Sequence, residues 1–156
     1  MKSVLRILTI ALLLLPLYAA ADDDERQLAR DAVHANKKLV VAENMDLSDS
    51  EKQAFWTVYE DYQKDLGKLY ERTASLIEEF AVNFENLSDD KASEFLDTYL
   101  KIEADEVKLK KDYVSKFKKV LPPQKVVRYY QVENKIDAII NFDLVDKIPL
   151  AHKDGS

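Results

Sequence analysis

The chain has 156 residues, of which 47% are hydrophobic and 33% charged, with a formal net charge of −6, two glycines and no cysteine. This length fits one modest domain, and Gly67 and Gly155 are too few glycines for the phosphate loops of nucleotide-binding folds. The lack of cysteine excludes disulfides, thiolate metal sites and a cysteine nucleophile, and the negative charge argues against nucleic acid as a partner.

Residues 1–21 have the pattern of a cleavable secretory signal peptide. Lys2 and Arg6 precede an apolar run over 7–17, and three alanines follow at 19–21. The run is shorter than the about 20 residues that a bilayer span needs, so a signal anchor is the less favoured alternative. We therefore expect export to the periplasm and, after cleavage, no integral membrane segment.

Residues 22–142 predict an all-α domain of four helices, because no proline and one glycine occur between Leu17 and Leu121. The first helix is predicted over 25–43, with an apolar stripe at steps of three and four: Leu28, Ala32, Ala35, Leu39 and Ala42. Ser48 and Glu51 form a capping box that starts a second helix over 49–85. Its seam follows the same spacing: Phe55, Tyr59, Tyr62, Leu66, Leu69, Thr73, Leu76, Phe80 and Phe84.

The third helix is predicted over 89–120, with Ser88 as its N-cap. Its apolar positions are Phe95, Leu96, Tyr99, Leu100, Val107, Val114 and Phe117. Pro122 ends it, and Pro123 suits the first turn of the fourth helix. The apolar positions of that helix are accompanied by one glutamate: Val126, Tyr129, Tyr130, Glu133, Ile136, Ile139 and Ile140. Residues 143–156 lack a period and are predicted to be a flexible C-terminal tail.

Two long helices joined by a short turn predict an antiparallel hairpin that two shorter helices cannot fully cover. The aromatic residues then outnumber the places to bury them in a thin monomer. We therefore expect a homodimer or an exposed apolar surface.

The order of these elements resembles the Spy/CpxP family of periplasmic stress proteins, whose helices start at two L-T-x-x-Q motifs. Leu47, Ser48 and Glu51 form a conservative version of the first motif. Leu121 and Gln124 correspond to the second, but the threonine is missing and the glutamine stands one place early. The resemblance covers nearly all of the chain after the signal peptide.

The resemblance implies an all-α, cradle-shaped antiparallel dimer that acts as an ATP-independent chaperone or as an envelope-stress modulator. Its expected partners are unfolded or partly folded envelope proteins, the periplasmic domain of a sensor kinase, and a second copy of the chain. The alternative function, from the ZraP/CnrX branch, is periplasmic metal binding or sensing. The resemblance names no catalytic residue and no cofactor.

The densest basic run lies between 108 and 128, and aromatic residues are interleaved with it. As a client-binding surface, the lysines would steer acidic segments while the rings supply contact area. The candidate residues are Lys110, Lys111, Tyr113, Phe117, Lys118, Tyr129 and Tyr130. The plainer interpretation is a solvated face, where lysines near a helix C-terminus favour the helix dipole and pair with neighbouring carboxylates.

Metal binding and catalysis have less support in the sequence. Asp31 with His34, and Glu103 with Glu106, have the spacing of paired ligands on a helix, but the Glu-x-x-His pair of di-metal bundles is absent from the sequence. Surface carboxylates and an exposed helical histidine explain them better, so we assign no metal ligand. Since no sequence feature marks a pocket that would separate the pKa values of two carboxylates, we expect no enzyme activity.

Overall fold

The computed structural model describes residues 23–145 and 148–151, with side chains described at 28, 31–141 and 148–151. These residues form four α-helices and no strand, which confirms the all-α prediction. The helices are α1 (Asp23–Met45), α2 (Asp49–Asn83), α3 (Asp89–Phe117) and α4 (Pro123–Val145), and a short 3-10 helix (Phe84–Asn86) follows α2. The predicted signal peptide and half of the predicted tail lie outside the described residues.

Three of the helices begin where their sequence signals predict. Helix α2 starts directly after Ser48. The Ser88 hydroxyl accepts a hydrogen bond from the backbone N–H of Lys91 at 3.3 Å, which satisfies one donor of the first turn of α3. Helix α4 starts at Pro123, whose fixed φ suits a first helical turn and whose missing N–H would have had no partner there.

The C-terminal ends of all four helices differ from the prediction, by two residues in α1 and α2 and by three in α3 and α4. Helix α3 ends at Phe117 rather than at Val120, because Pro122 disfavours helical geometry in the residue before it. The chain then forms a tight turn, in which the N–H of Leu121 donates to the carbonyl of Phe117 at 2.9 Å. Helix α4 continues to Val145, three residues beyond the predicted end of the helical domain at 142.

The chain divides into two compact units. One unit contains α1 and α4, and the other contains α2 and α3. The sequence predicted a single domain over 22–142. It contains no glycine-rich linker that would mark the division into two units.

The unit of α1 and α4 encloses an ion pair inside an apolar core. Val41 and Met45 on α1 and Tyr129 on α4 are fully buried. Beside them, the Lys37 Nζ lies 2.6 Å from a carboxylate oxygen of Glu133 and 3.2 Å from one of Asp137. Lys37 and Glu133 are only 5% and 1% exposed, so their charges are satisfied by each other rather than by water.

The buried face of α1 is not the one that the sequence pattern predicts. Leu28, Leu39 and the three alanines of the predicted stripe are all exposed. The helix instead buries Lys37, Val40, Val41 and Met45 on the opposite side. Both sides of α1 are apolar, and the side chosen here places Lys37 where α4 supplies two carboxylates.

The unit of α2 and α3 has an aromatic core. The predicted seam of α2 is buried from Phe55 to Leu69 and half-buried beyond it. Ring contacts join α2 to α3: Phe55 with Phe117 at 5.7 Å, Tyr62 with Tyr113 at 5.1 Å, and Phe80 with Phe95 at 5.6 Å between centroids. Edge-on and tilted contacts of this kind add to the free energy gained by burial alone.

The expectation that the aromatic rings exceed what a monomer can bury needs correction. The fully or almost fully buried rings are Phe55, Tyr59, Tyr62, Phe95, Tyr113, Phe117 and Tyr129. Among the described rings, only Tyr70 and Tyr99 are more than a third exposed. The exposed apolar surface is instead mostly aliphatic, and no helix among the described residues is both long and apolar enough to cross a membrane.

The buried ion pair makes a stability prediction. Lys37→Met should lower the free energy of unfolding by about 3–5 kcal/mol, because it leaves the Glu133 carboxylate buried without its nearest cation. Lys37→Met combined with Glu133→Leu should recover most of this loss, since both desolvated charges are then removed. Urea unfolding monitored by circular dichroism measures both variants, and a loss below about 1 kcal/mol in the single variant would contradict the role given to Lys37.

The same ion pair has a defined pH dependence. Burial lowers the pKa of Lys37, but Glu133 and Asp137 outweigh this effect and hold the pKa above the ordinary value of 10.5. The folded state therefore binds this proton more tightly than the unfolded state. Its contribution to stability is fully present below pH 10.5 and is lost as the pH rises through the folded pKa.

Candidate interaction surface on the third helix

Most lysines of the basic run are exposed on α3 and in the turn after it. Lys111 and Lys118 are exposed, whereas Lys110 is half-buried and pairs with Glu106 at 2.6 Å. The Lys116 Nζ lies 3.7 Å from the centre of the Tyr113 ring, in cation–π contact. The lysines thus differ in their surroundings, and Lys110 belongs to an ion pair along the helix.

The predicted contact role of the aromatic residues needs correction. Tyr113, Phe117 and Tyr129 are at most 3% exposed, and Tyr130 is half-buried. Their helical spacing places them on the buried faces of α3 and α4, where they form the cores of the two units. Tyr113 and Phe117 belong to one unit and Tyr129 and Tyr130 to the other. Because Tyr113, Phe117 and Tyr129 are buried, they do not supply exposed contact area.

Tyr113 is fixed by a hydrogen bond inside its unit. Its hydroxyl donates to a carboxylate oxygen of Asp65 on α2 at 2.7 Å, and Lys68 holds the other oxygen at 2.7 Å. Burial, and then this hydrogen bond, raise the pKa of the Tyr113 phenol well above its usual range. The hydrogen bonds from Lys68 and Tyr113 lower the pKa of Asp65. Tyr113 is therefore a neutral packing residue and the donor that orients Asp65.

Two further basic residues of the run stabilise the end of α1. The Arg128 Nε donates to the carbonyl of Asn44, and the Lys125 Nζ donates to the carbonyl of Asp46 at 2.9 Å. These carbonyls lie at the C-terminus of α1, where helix geometry leaves acceptors without intrahelical donors and where positive charge favours the helix dipole. Asp46 has a φ of 44°, the left-handed geometry that commonly ends a helix. Sequence spacing could not reveal this role, because the partners are about 80 residues apart.

Helix α3 exposes an apolar stripe that sequence reasoning assigned to its packing face. Leu96, Leu100 and Val107 are 57%, 54% and 51% exposed. Their steps of four and seven place them along one line of the helix, over about 16 Å. The buried residues of α3 are Phe95, Ile102, Tyr113 and Phe117, which lie along a different line, rotated by about a quarter to a third of a turn.

The apolar stripe continues into the basic run. Lys111 follows Val107 by four residues, and Lys118 follows Lys111 by seven, so both lie on the same line of the helix and its C-cap. Both side chains are exposed. We call this line the α3 stripe: Leu96, Leu100, Val107, Lys111 and Lys118. It offers an apolar contact region of about 16 Å that ends in two positive charges.

Ion pairs occupy a different side of the unit of α2 and α3. Arg72 on α2 pairs with Asp105 on α3 at 2.7 Å, and Lys91 on α3 pairs with Glu79 on α2 at 2.5 Å. An open groove lies along this side and is lined by four charged residues, by two polar residues and by Leu76 and Ile102. The four charges are two positive and two negative, which makes the groove a poor site for a strongly charged partner.

The motif residues at the helix starts have structural positions. Leu121 is buried, Leu47 and Glu51 are half-buried, and Ser48 and Gln124 are exposed. They mark the starts of α2 and α4.

Among the described residues, no group of three or more histidine or carboxylate side chains could hold a metal ion. Asp31 and His34 supply two side chains on α1, and Glu103 and Glu106 supply two on α3. Each pair has fewer side chains than a transition-metal site requires.

No family model, no curated protein and no solved structure matches this chain. The resemblance to the Spy/CpxP family therefore depends on the order of the helices and on their start motifs.

A substitution at Tyr113 separates its packing role from the contact role first predicted. Tyr113→Phe should lower the free energy of unfolding by about 1 kcal/mol, because it removes the hydrogen bond to Asp65 but keeps the buried ring. Binding of an unfolded protein should stay unchanged. Chemical unfolding and a binding titration measure the two effects. Weakened binding by a stably folded variant would contradict the packing role and show that Tyr113 contacts the bound protein.

Proposed function

We propose that this chain is an exported, non-enzymatic protein-binding protein, an ATP-independent chaperone or envelope-stress modulator of Spy/CpxP type that acts in the periplasm. The observation that carries the proposal is the α3 stripe, where exposed aliphatic side chains lead into exposed lysines. The predicted signal peptide, the four helices and their start motifs support the same proposal.

The α3 stripe suits an unfolded segment better than a folded ligand. It is a line on a convex helix and not a pocket, so it can contact an extended chain without selecting one sequence. An extended segment of about five residues would cover its apolar part of about 16 Å. Acidic residues further along the segment would then lie near Lys111 and Lys118.

Such contacts would be weak and reversible. Three half-exposed aliphatic side chains bury little area, and the lysine charges act through water that screens them. Weak binding allows a client to dissociate and fold without an energy source, which agrees with the lack of a nucleotide-binding motif in the sequence. An acidic, partly folded part of a sensor-kinase periplasmic domain would use the same surface.

We also propose that α2 and α3 form the long antiparallel hairpin expected for this family, and that the protein is a homodimer. The contacts between the two helices support the antiparallel direction, because residues later in α2 meet residues earlier in α3. These contacts are Phe55–Phe117, Tyr62–Tyr113, Arg72–Asp105, Phe80–Phe95 and Glu79–Lys91.

Replacement of the apolar part of the α3 stripe tests the proposal. The variant with Leu96, Leu100 and Val107 all changed to Ser should fold, because the three side chains are more than half exposed. The parent protein should suppress the aggregation of a reduced, unfolding model protein without ATP, and the variant should lose most of this effect. Light scattering at several ratios of protein to client measures the difference.

Val82→Ser provides the matched control. Val82 is an aliphatic residue on α2 that is 86% exposed and lies outside the α3 stripe, so its replacement should leave suppression unchanged. No suppression by the parent protein at several-fold excess would overturn the chaperone proposal. Equal suppression by all three proteins would remove the α3 stripe as the binding surface.

A further inference from the structure

Helix α1 carries a second exposed apolar stripe, on the side opposite its buried face. Leu28 and Leu39 are 72% and 54% exposed, and Ala32, Ala35 and Ala42 are also exposed. The five residues recur at steps of four, three, four and three, which keeps them on one line over about 21 Å. We call this line the α1 stripe. A face with this spacing is typical of a helix that packs against another helix.

The large and small residues of the α1 stripe are complementary to those of the reversed stripe. If the stripe is reversed about Ala35, Leu28 stands opposite Ala42, and Ala32 lies within one residue, about 1.5 Å along the axis, of the position opposite Leu39. Each large side chain then meets a small one, the arrangement that fills the space between two packed helices. A parallel pairing would set leucine against leucine and alanine against alanine, which leaves voids at the alanines.

Charge beside the α1 stripe favours the same direction. Asp31 and Lys38 flank the stripe on one side, seven residues apart. In an antiparallel pair of identical helices centred on Ala35, Asp31 of each copy lies beside Lys38 of the other copy. A parallel pair would place the two copies of this flank on opposite sides of the interface, so neither Asp31 would reach a Lys38 of the other copy.

We propose that the α1 stripe is the surface through which two copies of this chain pair, with their α1 helices antiparallel and the two-fold axis at Ala35. This inference builds on the homodimer in the proposed function and names its surface. A surface that matches its own reversed copy is what a two-fold interface requires, because both copies contribute the same residues. A single helix pair of this length buries less than the about 1,200 Å² of standard interfaces, so the dimer should be weak and concentration-dependent.

Single cysteines test the pairing directly, because the natural chain contains none. Ala35→Cys should form a disulfide-linked dimer under mild oxidation, since the two Ala35 positions meet at the axis within the short distance that a disulfide spans. Ala42→Cys is the matched control, an equally small change on the same stripe. Its two copies would lie about 21 Å apart along the paired helices and should not cross-link. Non-reducing gel electrophoresis of the purified proteins over a range of concentrations measures both.

A third variant fixes the register. Leu28→Cys mixed with Ala42→Cys should give a mixed disulfide, because these positions face each other across the pair. Cross-linking of Ala42→Cys to itself at the level of Ala35→Cys would overturn the antiparallel arrangement, and no cross-linking of Ala35→Cys would overturn the α1 surface. If Ala35→Cys fails to cross-link while sedimentation still finds a dimer, the homodimer is retained and only the proposed α1 surface is rejected.

Discussion

Each helix of this chain buries one narrow stripe of side chains, and the remaining properties of the protein depend on which stripe that is. An α-helix packed against a single neighbour removes only about a third of its surface from water. Apolar residues on any other line then stay exposed unless another molecule covers them. Helix α2 has one apolar line of side chains and buries much of it. Helices α1 and α3 each have two apolar lines and bury only one of them.

Polar contacts accompany the buried line in both units, and in the unit of α1 and α4 they decide it. In the unit of α1 and α4, Lys37 lies inside the core because Glu133 and Asp137 meet it there. In the unit of α2 and α3, the hydrogen bond from Tyr113 to Asp65 holds the buried line of α3 against α2. A buried charge without a partner is strongly unfavourable, so the contacts of Lys37 admit one arrangement of α1 and disfavour the others. The exposed aliphatic residues of α1 and α3 are the consequence.

Local signals predicted where helices begin, because caps and prolines act through the backbone within a few residues. Ser48, Ser88 and Pro123 start their helices in the predicted places. The buried faces of α1 and α3 could not be predicted in this way, since both faces of each helix are apolar and the deciding contacts are distant in sequence. Lys37 reads as a surface residue until Glu133, 96 positions away, is seen beside it.

In the candidate site too, local signals were predictive and contacts between distant residues were not. Lys111 and Lys118 were identified from their local charge pattern and are exposed on the α3 stripe. Tyr113, Phe117 and Tyr129 were assigned to the contact surface for their proximity in sequence, yet helical spacing directs them inward. Leu96, Leu100 and Val107 were assigned to packing and are exposed. A helical-wheel comparison of the whole of α3 shows both lines, but only the contacts with α2 decide between them.

In the proposed function, the exposed line of α3 binds other proteins. Hydrogen–deuterium exchange of the protein with and without an excess of an unfolded client tests it most directly. The account predicts slower exchange in peptides that cover 96–118 when the client is present, with no change in peptides that cover 78–86 at the end of α2. Unchanged exchange over 96–118 at saturating client, or protection confined to α2, would contradict it.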